Sequence, residues 1–192
     1  MATAYTRLAA MKLFAYRALD YVHAAHPDDR RYLLYCAVQK AKVSTEGVRT
    51  MALLSECIGA RGFEADMYFE GALRDIQLIP GLESSTHINL GLAARFVPRY
   101  FDRFDEQLAD PPPLMARATP PPENPYLFEA KTSAVGAIAF RPCLEAFDAL
   151  DSLANVARFR RQIRRLRRFL TTTNLDRDQQ SEPEYVQLLG KC

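Results

Sequence analysis

The sequence predicts an all-α protein, an up-down helical bundle with an appended C-terminal helical pair. Apolar residues recur every three to four positions over residues 4–107, and again over 126–140 and 142–170, which is typical of amphipathic helices. No segment shows the alternation of a half-buried strand, and no internal repeat is evident. With 192 residues the chain is long enough to bury a core of its own.

Four helices are predicted for the first part of the chain. The first covers residues 4–25 and ends near Pro27, and the second is a long helix over 28–58. Two paired helices leave too much apolar surface in water, so further helices must cover them. The segments 66–79 and 84–107 are predicted to supply that cover.

The second half of the chain begins with two proline triplets, Pro111–Pro113 and Pro120–Pro122. Proline has no amide hydrogen to donate, so this segment is predicted to be a semi-rigid linker. From Thr171 onward polar residues dominate, which favours a flexible tail. The predicted organisation is a bundle over 1–108, a linker over 109–125, appended helices over 126–170 and a tail over 171–192.

Composition narrows the function classes. The four cysteines lie apart without a Cys-x-x-Cys pair, and the three histidines are dispersed, so neither a metal site nor a disulfide framework is expected. Neither a leader pattern nor an apolar run of about 18 residues occurs. We expect a cytoplasmic protein in a reducing compartment. The net charge of +2 says little about partners.

Residues 56–89 combine several signals that could build a site. Gly59 and Gly62 follow the long helix, where glycine either caps the helix or lets a flat ligand approach the backbone. Pro80–Gly81 breaks the third helix, and Ser84–Thr86 are good N-cap residues. Glu83 is therefore predicted at or just before the start of the next helix, where an acid by itself stabilises the helix dipole.

This stretch resembles the C-terminal helical domain of the acyl-CoA dehydrogenases. Members of that family carry a Gln-x-x-Gly-Gly-x-Gly-like element, an Arg-Asp pair fifteen residues beyond its first glycine, and a Glu-Gly-Thr nine residues beyond that arginine. Gly59 to Arg74 and Arg74 to Glu83 keep both intervals. The predicted helices 4–25 and 28–58 also look like the two long helices that precede the glycine element, so the resemblance covers about the first 95 residues.

The resemblance implies a base and a flavin cofactor. In most of the family, the glutamate that matches Glu83 removes the α-proton of an acyl-CoA thioester while FAD accepts a hydride from the β-carbon. Such a base works best when it is desolvated as substrate arrives. The resemblance also implies that Gly59, Ala60 and Gly62 lie along the FAD of a neighbouring subunit, and that Ser85 and His87 reach its adenylate part.

The chain departs from the family pattern at three places. Glu56 stands where glutamine is usual and puts negative charge near a phosphate-bearing cofactor, and Ala60 replaces the second glycine. Ser84-Ser85 replaces Gly-Thr, although Ser85 keeps a hydroxyl that can donate a hydrogen bond.

The family's full subunit also has an N-terminal helical domain and a middle β-domain, whereas this chain begins within the C-terminal bundle. We expect a separate polypeptide or a longer enzyme to supply these parts. The predicted function is then the C-terminal portion or small subunit of an FAD-dependent acyl-CoA dehydrogenase of fatty acid metabolism, acting in an oligomer on acyl-CoA and passing electrons to an acceptor. The alternative is a non-catalytic helical assembly module derived from that family.

An arginine-rich segment lies outside the resemblance. Its alternatives are a solvated helix face, a surface for an acidic partner or for CoA phosphates, and a nucleic-acid surface. No helix-turn-helix, zinc or aromatic-platform motif accompanies it, and it lacks the broad apolar face of a membrane-surface helix, so no nucleic acid and no membrane are expected. The arginines are Arg158, Arg160, Arg161, Arg164, Arg165, Arg167 and Arg168.

Overall fold

A computed structural model describes residues 1–102, 105, 108–129, 138–140, 145–173 and 176–191. These residues form helices and turns and contain no strand, which confirms the predicted all-α fold. No helix among them is long and apolar enough to cross a membrane. The α-helices are α1 (Ala2–His23), α2 (Tyr32–Ile58), α3 (Tyr68–Leu78), α4 (Thr86–Ala94), α5 (Val97–Asp102), α6 (Ala154–Thr172), α7 (Arg177–Ser181) and α8 (Pro183–Lys191).

Helices α1 and α2 pack side by side in opposite directions. Near the start of α1, Arg7 Nη1 lies 3.1 Å from Glu46 Oε2 in the second half of α2. Near the end of α1, the ring of Tyr21 stacks on that of Tyr35 at a centroid distance of 3.8 Å. Small side chains let the two backbones approach closely, and the buried ones are Ala4, Ala18, Ala37 and Ala41.

The turn between α1 and α2 is held by a buried ion pair. Arg31, which is 3% exposed, donates from Nε and Nη2 to the two carboxylate oxygens of Asp29 at 2.9 and 2.7 Å. Burial of Asp29 acts to raise its pKa, but hydrogen bonding to Arg31 and the charges of Arg31 and His26 outweigh burial, so its pKa lies below the ordinary value. The guanidinium of Arg31 also lies over the Tyr21 ring, 4.9 Å from its centroid.

Helix α3 runs back along α2. Lys40 Nζ donates to the Ile79 carbonyl oxygen at 2.7 Å, just after α3 ends. Further along α2, Gly47 faces Ile76, whose Cδ1 would lie 3.2 Å from a Cβ added at that glycine. The up-down order of α1, α2 and α3 is therefore the one that the sequence predicts.

The chain divides into two compact units. The first comprises Met1–Leu90 with Pro111–Glu129, and the second comprises Gly91–Asp110 with Ala130–Cys192. The proline-rich segment, predicted as a linker, thus packs within the first unit. The predicted domain boundaries themselves stay a prediction.

Hydrogen bonds to α1 explain the place of the proline-rich segment. The Leu114 N–H donates to Asp20 Oδ1 at 2.8 Å, and Arg17 Nη1 donates to the Pro111 carbonyl oxygen at 2.8 Å. At the end of α1, Asn124 Nδ2 donates to the Ala25 carbonyl oxygen at 2.8 Å. A proline-rich segment makes few hydrogen bonds within itself, and α1 supplies a donor, Arg17, for one of its carbonyl oxygens and an acceptor, Asp20, for one of its N–H groups.

The predicted helix over 84–107 is two helices. Helix α4 ends at Ala94 and α5 begins at Val97, with Pro98 in its first turn. Pro98 has no N–H to donate to the Ala94 carbonyl oxygen, and its ring crowds that carbonyl group, so α4 ends at Ala94 and the chain starts again as α5. Phe96, in the break, has no exposed surface and anchors the second unit.

Two further differences concern the second unit. Residues Glu145–Leu150 form a 3₁₀ helix and α6 begins at Ala154, so the predicted helix over 142–170 is α-helical only from there among the described residues, and residues 142–144 lie outside them. Residues 177–191, predicted as part of a flexible tail, form α7 and α8, because Asp176 and Gln179 make a capping box and Leu189 is buried. Of the predicted run over 126–140, residues 130–137 lie outside the described residues.

Candidate functional site

Glu83 lies in a tight turn between α3 and α4. Its backbone φ is +60°, and among the described residues other than glycine it is the one with a positive φ. The Ser84 N–H donates to the Leu82 carbonyl oxygen at 2.7 Å, which closes a three-residue turn with Glu83 at its centre. Turns of this sign are rare and strained. An unfavourable backbone at a residue other than glycine is a reason to suspect a function there.

The Glu83 side chain is exposed in the chain. Within the described residues, no acceptor takes a hydrogen bond from the Glu83 N–H. Both the carboxylate and the amide of this residue are therefore available to a molecule that approaches the turn.

Residues at the start of α4 hold the C-terminal side of the turn that contains Glu83. As predicted, α4 begins just after Glu83, at Thr86, and Ser85 Oγ accepts from the Ile88 N–H at 3.3 Å as an N-cap. Asn89, which is 8% exposed, donates from Nδ2 to the Ser84 carbonyl oxygen at 3.1 Å and to Ser84 Oγ at 2.9 Å. It also donates to the Ser85 carbonyl oxygen at 3.0 Å. A buried side chain thus holds the residues after Glu83.

Asn89 is the last residue of the segment 56–89, but the sequence did not predict that its side chain holds the turn at Glu83. The one sequence signal is its position in the first turn of α4, because a side-chain amide four or five residues beyond a loop can donate to the carbonyl oxygens of that loop. The contacts, and the burial that makes them matter, are visible only in the structure.

The glycine element begins where α2 ends. Gly59 has φ +67° and ψ −149°, and its N–H donates to the Ser55 carbonyl oxygen. This conformation is essentially restricted to glycine and differs in ψ from the left-handed cap that the sequence predicts. No atom would lie within 4 Å of a Cβ added at Gly59, and Ala60 is exposed, so the backbone here is open to an approaching molecule.

Gly62 differs from its neighbours. It is buried, and a Cβ added there would lie 3.1 Å from Phe69 Cδ1 and 3.3 Å from Ile58 Cγ2. Packing inside the chain therefore accounts for this glycine without a ligand. Its predicted contact with a cofactor stays a prediction.

The two halves of the candidate site lie at opposite ends of α3. Gly62 packs on Phe69 in the first turn of α3, whereas Glu83 follows the 3₁₀ helix Ile79–Gly81 at its other end. A helix of 11 residues is about 16 Å long. The structure therefore groups Glu83, Ser85 and His87, and it keeps the glycine element apart from them.

The charges around these residues are mixed. Glu56 and Arg61 are both exposed and flank Gly59 in the sequence, so an anionic and a cationic side chain lie close to it along the chain. Arg74 Nη1 lies 3.4 Å from Glu70 Oε1 across one turn of α3, with 69% of the arginine side chain exposed. An exposed pair of this kind contributes little to stability.

The exposed residues of the glycine element and the start of α4 are suited to contact the uncharged parts of a nucleotide cofactor. The open backbone at Gly59 and Ala60 leaves room for a flat group, and the Ser85 hydroxyl keeps its hydrogen to donate while its oxygen caps α4. Arg61 is the nearest cation in the sequence for an anionic part.

Residues 1–97 match the family model described as "Acyl-CoA dehydrogenase, C-terminal domain". No curated protein and no solved structure matches. The matched residues include α1 to α4, the glycine element and the Glu83 turn. The chain therefore belongs to the acyl-CoA dehydrogenase family, through its C-terminal helical domain.

Proposed function

We propose that this chain is the C-terminal portion or a small subunit of an FAD-dependent acyl-CoA dehydrogenase, in which Glu83 removes the α-proton of an acyl-CoA thioester. The observation that carries the proposal is the strained turn at Glu83, with its exposed carboxylate and an amide that no described residue engages. Family membership supplies the reaction class.

The turn offers two groups that such a reaction needs. The Glu83 carboxylate takes the proton from the α-carbon, and the Glu83 N–H donates to the thioester oxygen as negative charge develops on it. Bound FAD would supply the acceptor for the hydride that leaves the β-carbon. Because both groups belong to one residue, the turn sets the carboxylate and the amide relative to each other.

The strained backbone at Glu83 is consistent with a requirement for a carboxylate at this position of the turn. Glycine would adopt the same backbone without strain but has no carboxylate, so the strain at Glu83 is the consequence of placing an acid there. The hydrogen bonds from Asn89 keep Ser84 and Ser85 in place, and they limit the freedom of the turn to relax.

The open backbone at Gly59 and Ala60 supports a role in holding FAD, together with Ser85 and His87. The glycine element lies about 16 Å from the Glu83 end of α3, and we propose that it lies along the FAD of a neighbouring subunit. The exposed carboxylate implies that substrate and a second domain or chain supply the cover that desolvates Glu83.

The test is co-expression of this chain with a dehydrogenase-like polypeptide that carries the N-terminal helical and β-domains. We expect a yellow complex that reduces an electron-acceptor dye when acyl-CoA is added. Glu83→Gln should keep the flavin absorbance and lower the rate by about 100- to 10,000-fold, the range for loss of a general base. Glu123→Gln is the matched control, because Glu123 is also exposed and lies in the proline-rich segment.

The alternative is a catalytically silent assembly module. The exposure of large apolar side chains on α1 favours it, because a bundle that assembles with copies or partners would bury them. A colourless complex, or a rate that Glu83→Gln leaves unchanged, would establish that alternative. The exposed apolar residues of α1 are Tyr5, Leu8, Leu13 and Leu19.

A further inference from the structure

Helix α6 carries an unusual concentration of one charge. It contains seven arginines and no lysine, and no acidic residue occurs between Ser152 and Leu175. With about 100° of rotation per residue, five of these arginines fall within an arc of about 120° on one side of the helix. All five are exposed, and they form what we call the arginine face: Arg158, Arg161, Arg164, Arg165 and Arg168.

The chain does not neutralise the arginine face within its described part. Asp148 and Asp151, which precede α6, both pair with Arg160, with an Arg160 Nη1 to Asp151 Oδ2 distance of 3.1 Å. The Arg160 side chain is 15% exposed, so it holds the preceding 3₁₀ helix to α6. Among the described residues, no carboxylate pairs with the arginine face, which leaves about five positive charges on one surface.

The opposite side of α6 packs within its own unit. Ile163, Leu166 and Leu170 are half-buried, and α6 lies against α5 and the 3₁₀ helix Glu145–Leu150. The helix therefore has a fixed orientation that turns the arginine face outward.

Apolar side chains border the arginine face. Phe169, which is 41% exposed, lies about 20° from Arg158 in the helical projection. At the N-terminal end of α6, Leu150 and Leu153 are 47% and 51% exposed. Exposed apolar side chains thus lie near both ends of α6, and one of them, Phe169, lies beside the arginine face.

We propose that the arginine face docks an acidic amphipathic helical segment of a partner protein. Arg158, Arg161, Arg165 and Arg168 follow one another at three- and four-residue steps, so their Cα atoms rise by about 4.5 to 6 Å per step. Carboxylates at the same steps on a partner helix have the same spacing. Guanidinium groups bind carboxylates in a bidentate manner, and the bordering phenylalanine and leucines would pack on the partner's apolar side.

The exposed apolar side chains near the two ends of α6 argue against two other anionic ligands of the arginine face, a nucleic acid and a membrane surface. A nucleic-acid backbone would engage the arginines but leave Leu150 and Leu153 in water, since it offers no aliphatic surface to cover them. A membrane-surface helix needs a broad apolar face free to insert, whereas Ile163, Leu166 and Leu170 are already packed.

The full chain is tested against a labelled synthetic peptide of about 18 residues, a length of about five helical turns, with glutamates and leucines on adjacent faces. Binding is followed by fluorescence anisotropy at two salt concentrations, because exposed charge pairs weaken as salt screens them. The comparison probes are a shuffled peptide of the same composition, a single-stranded DNA oligonucleotide, and vesicles that contain phosphatidylglycerol.

We expect the amphipathic peptide to bind more tightly than every comparison probe. The triple variant R161E/R165E/R168E should bind it at least about tenfold more weakly, a change of about 1.4 kcal/mol. R161K/R165K/R168K keeps the charge and should recover only part of the affinity, because lysine cannot bind a carboxylate in a bidentate manner. The charge-matched control K12E/K42E/R95E, which changes exposed cations on other surfaces, should stay within about twofold of the parent chain.

Several outcomes would overturn the proposal. They are absence of binding to the amphipathic peptide, equal binding of the shuffled peptide, and tighter binding of DNA or vesicles. An equal loss of peptide affinity in the control variant K12E/K42E/R95E would also overturn it. The arginine face is exposed, so the variants should keep the circular dichroism spectrum and melting temperature of the parent chain. The test uses no flavin and no acyl-CoA, and its result is independent of the role of Glu83.

Discussion

The buried amide of Asn89 donates to both the carbonyl and the hydroxyl oxygen of Ser84, at 3.1 and 2.9 Å. This contact ties the first turn of α4 to the loop that carries Glu83. The geometry of the candidate base thus depends on a residue that is neither acidic nor exposed.

Asn89→Leu tests this dependence. Leucine keeps the branching at Cγ but leaves the carbonyl oxygens of Ser84 and Ser85 without their donor, so we expect a loss of about 2 kcal/mol in the free energy of unfolding. Amide hydrogen exchange over residues 82–88 should accelerate by more than exchange in α1. If exchange changes equally in both places, Asn89 stabilises the chain without holding the turn.

Glu83→Gly should stabilise the protein. Glycine adopts a positive φ without the clash of a Cβ, and the strain at a residue of another type is about 1 to 2 kcal/mol. For a chain of this size that gain corresponds to a rise of roughly 2 to 8 °C in melting temperature, which calorimetry measures. Glu123→Gly is the control, because Glu123 has no positive φ, and it should leave the melting temperature unchanged or lower it. A fall for Glu83→Gly would mean that the turn is not strained.

The two glycines after α2 should respond to alanine for different reasons. Gly59→Ala places a Cβ in open space but in a backbone conformation that only glycine adopts, at a cost of about 1 to 3 kcal/mol. Gly62→Ala crowds Phe69, at a cost of about 1 to 3 kcal/mol.

A second substitution separates the two causes. Phe69→Leu makes room beside residue 62, so it should recover part of the stability lost by Gly62→Ala and none of that lost by Gly59→Ala. Urea denaturation of the single and double variants measures this difference. Equal recovery in both would contradict the two different explanations.

The pair of Asp29 and Arg31 should make stability depend on acid pH. The pKa of Asp29 is lower in the folded chain than in the unfolded chain, so the pair contributes its full stability above the unfolded pKa of about 3.9. That contribution is lost as the pH falls through the lower pKa of the folded state.

Asp29→Asn removes the charge while it keeps the shape. We expect it to lower the free energy of unfolding by about 1.5 to 3 kcal/mol at pH 7, since it weakens hydrogen bonds to a charged and buried arginine. The difference from the parent chain should shrink as the pH falls below about 4. Asp28→Asn is the control, because the Asp28 side chain is 94% exposed, and it should have little effect at either pH. A difference for Asp29→Asn that is independent of pH would contradict the assignment.

Much of the fold could be predicted because it depends on local pattern. Periodic apolar residues gave the existence and order of the first three helices, and the interval from Gly59 to Glu83 gave the family to which the chain belongs. The break at Pro98 was missed, because proline in a first turn is compatible with one helix that continues or with two that meet. The packing of Gly62 could not be predicted, since a sequence does not show that Phe69 and Ile58 lie against it.

The sequence by itself therefore determined the order of the first three helices, the break at Pro80–Gly81, and the place of Glu83 just before a helix. Only the tertiary structure decided that Glu83 adopts a positive φ and that Asn89 holds the turn. It also decided that the proline-rich segment packs on α1 through Asp20 and Leu114, which are 94 residues apart. The physical reason is the range of the interactions: helix propensity and capping act over a few neighbouring residues, whereas burial and hydrogen bonds between distant segments depend on how the whole chain packs.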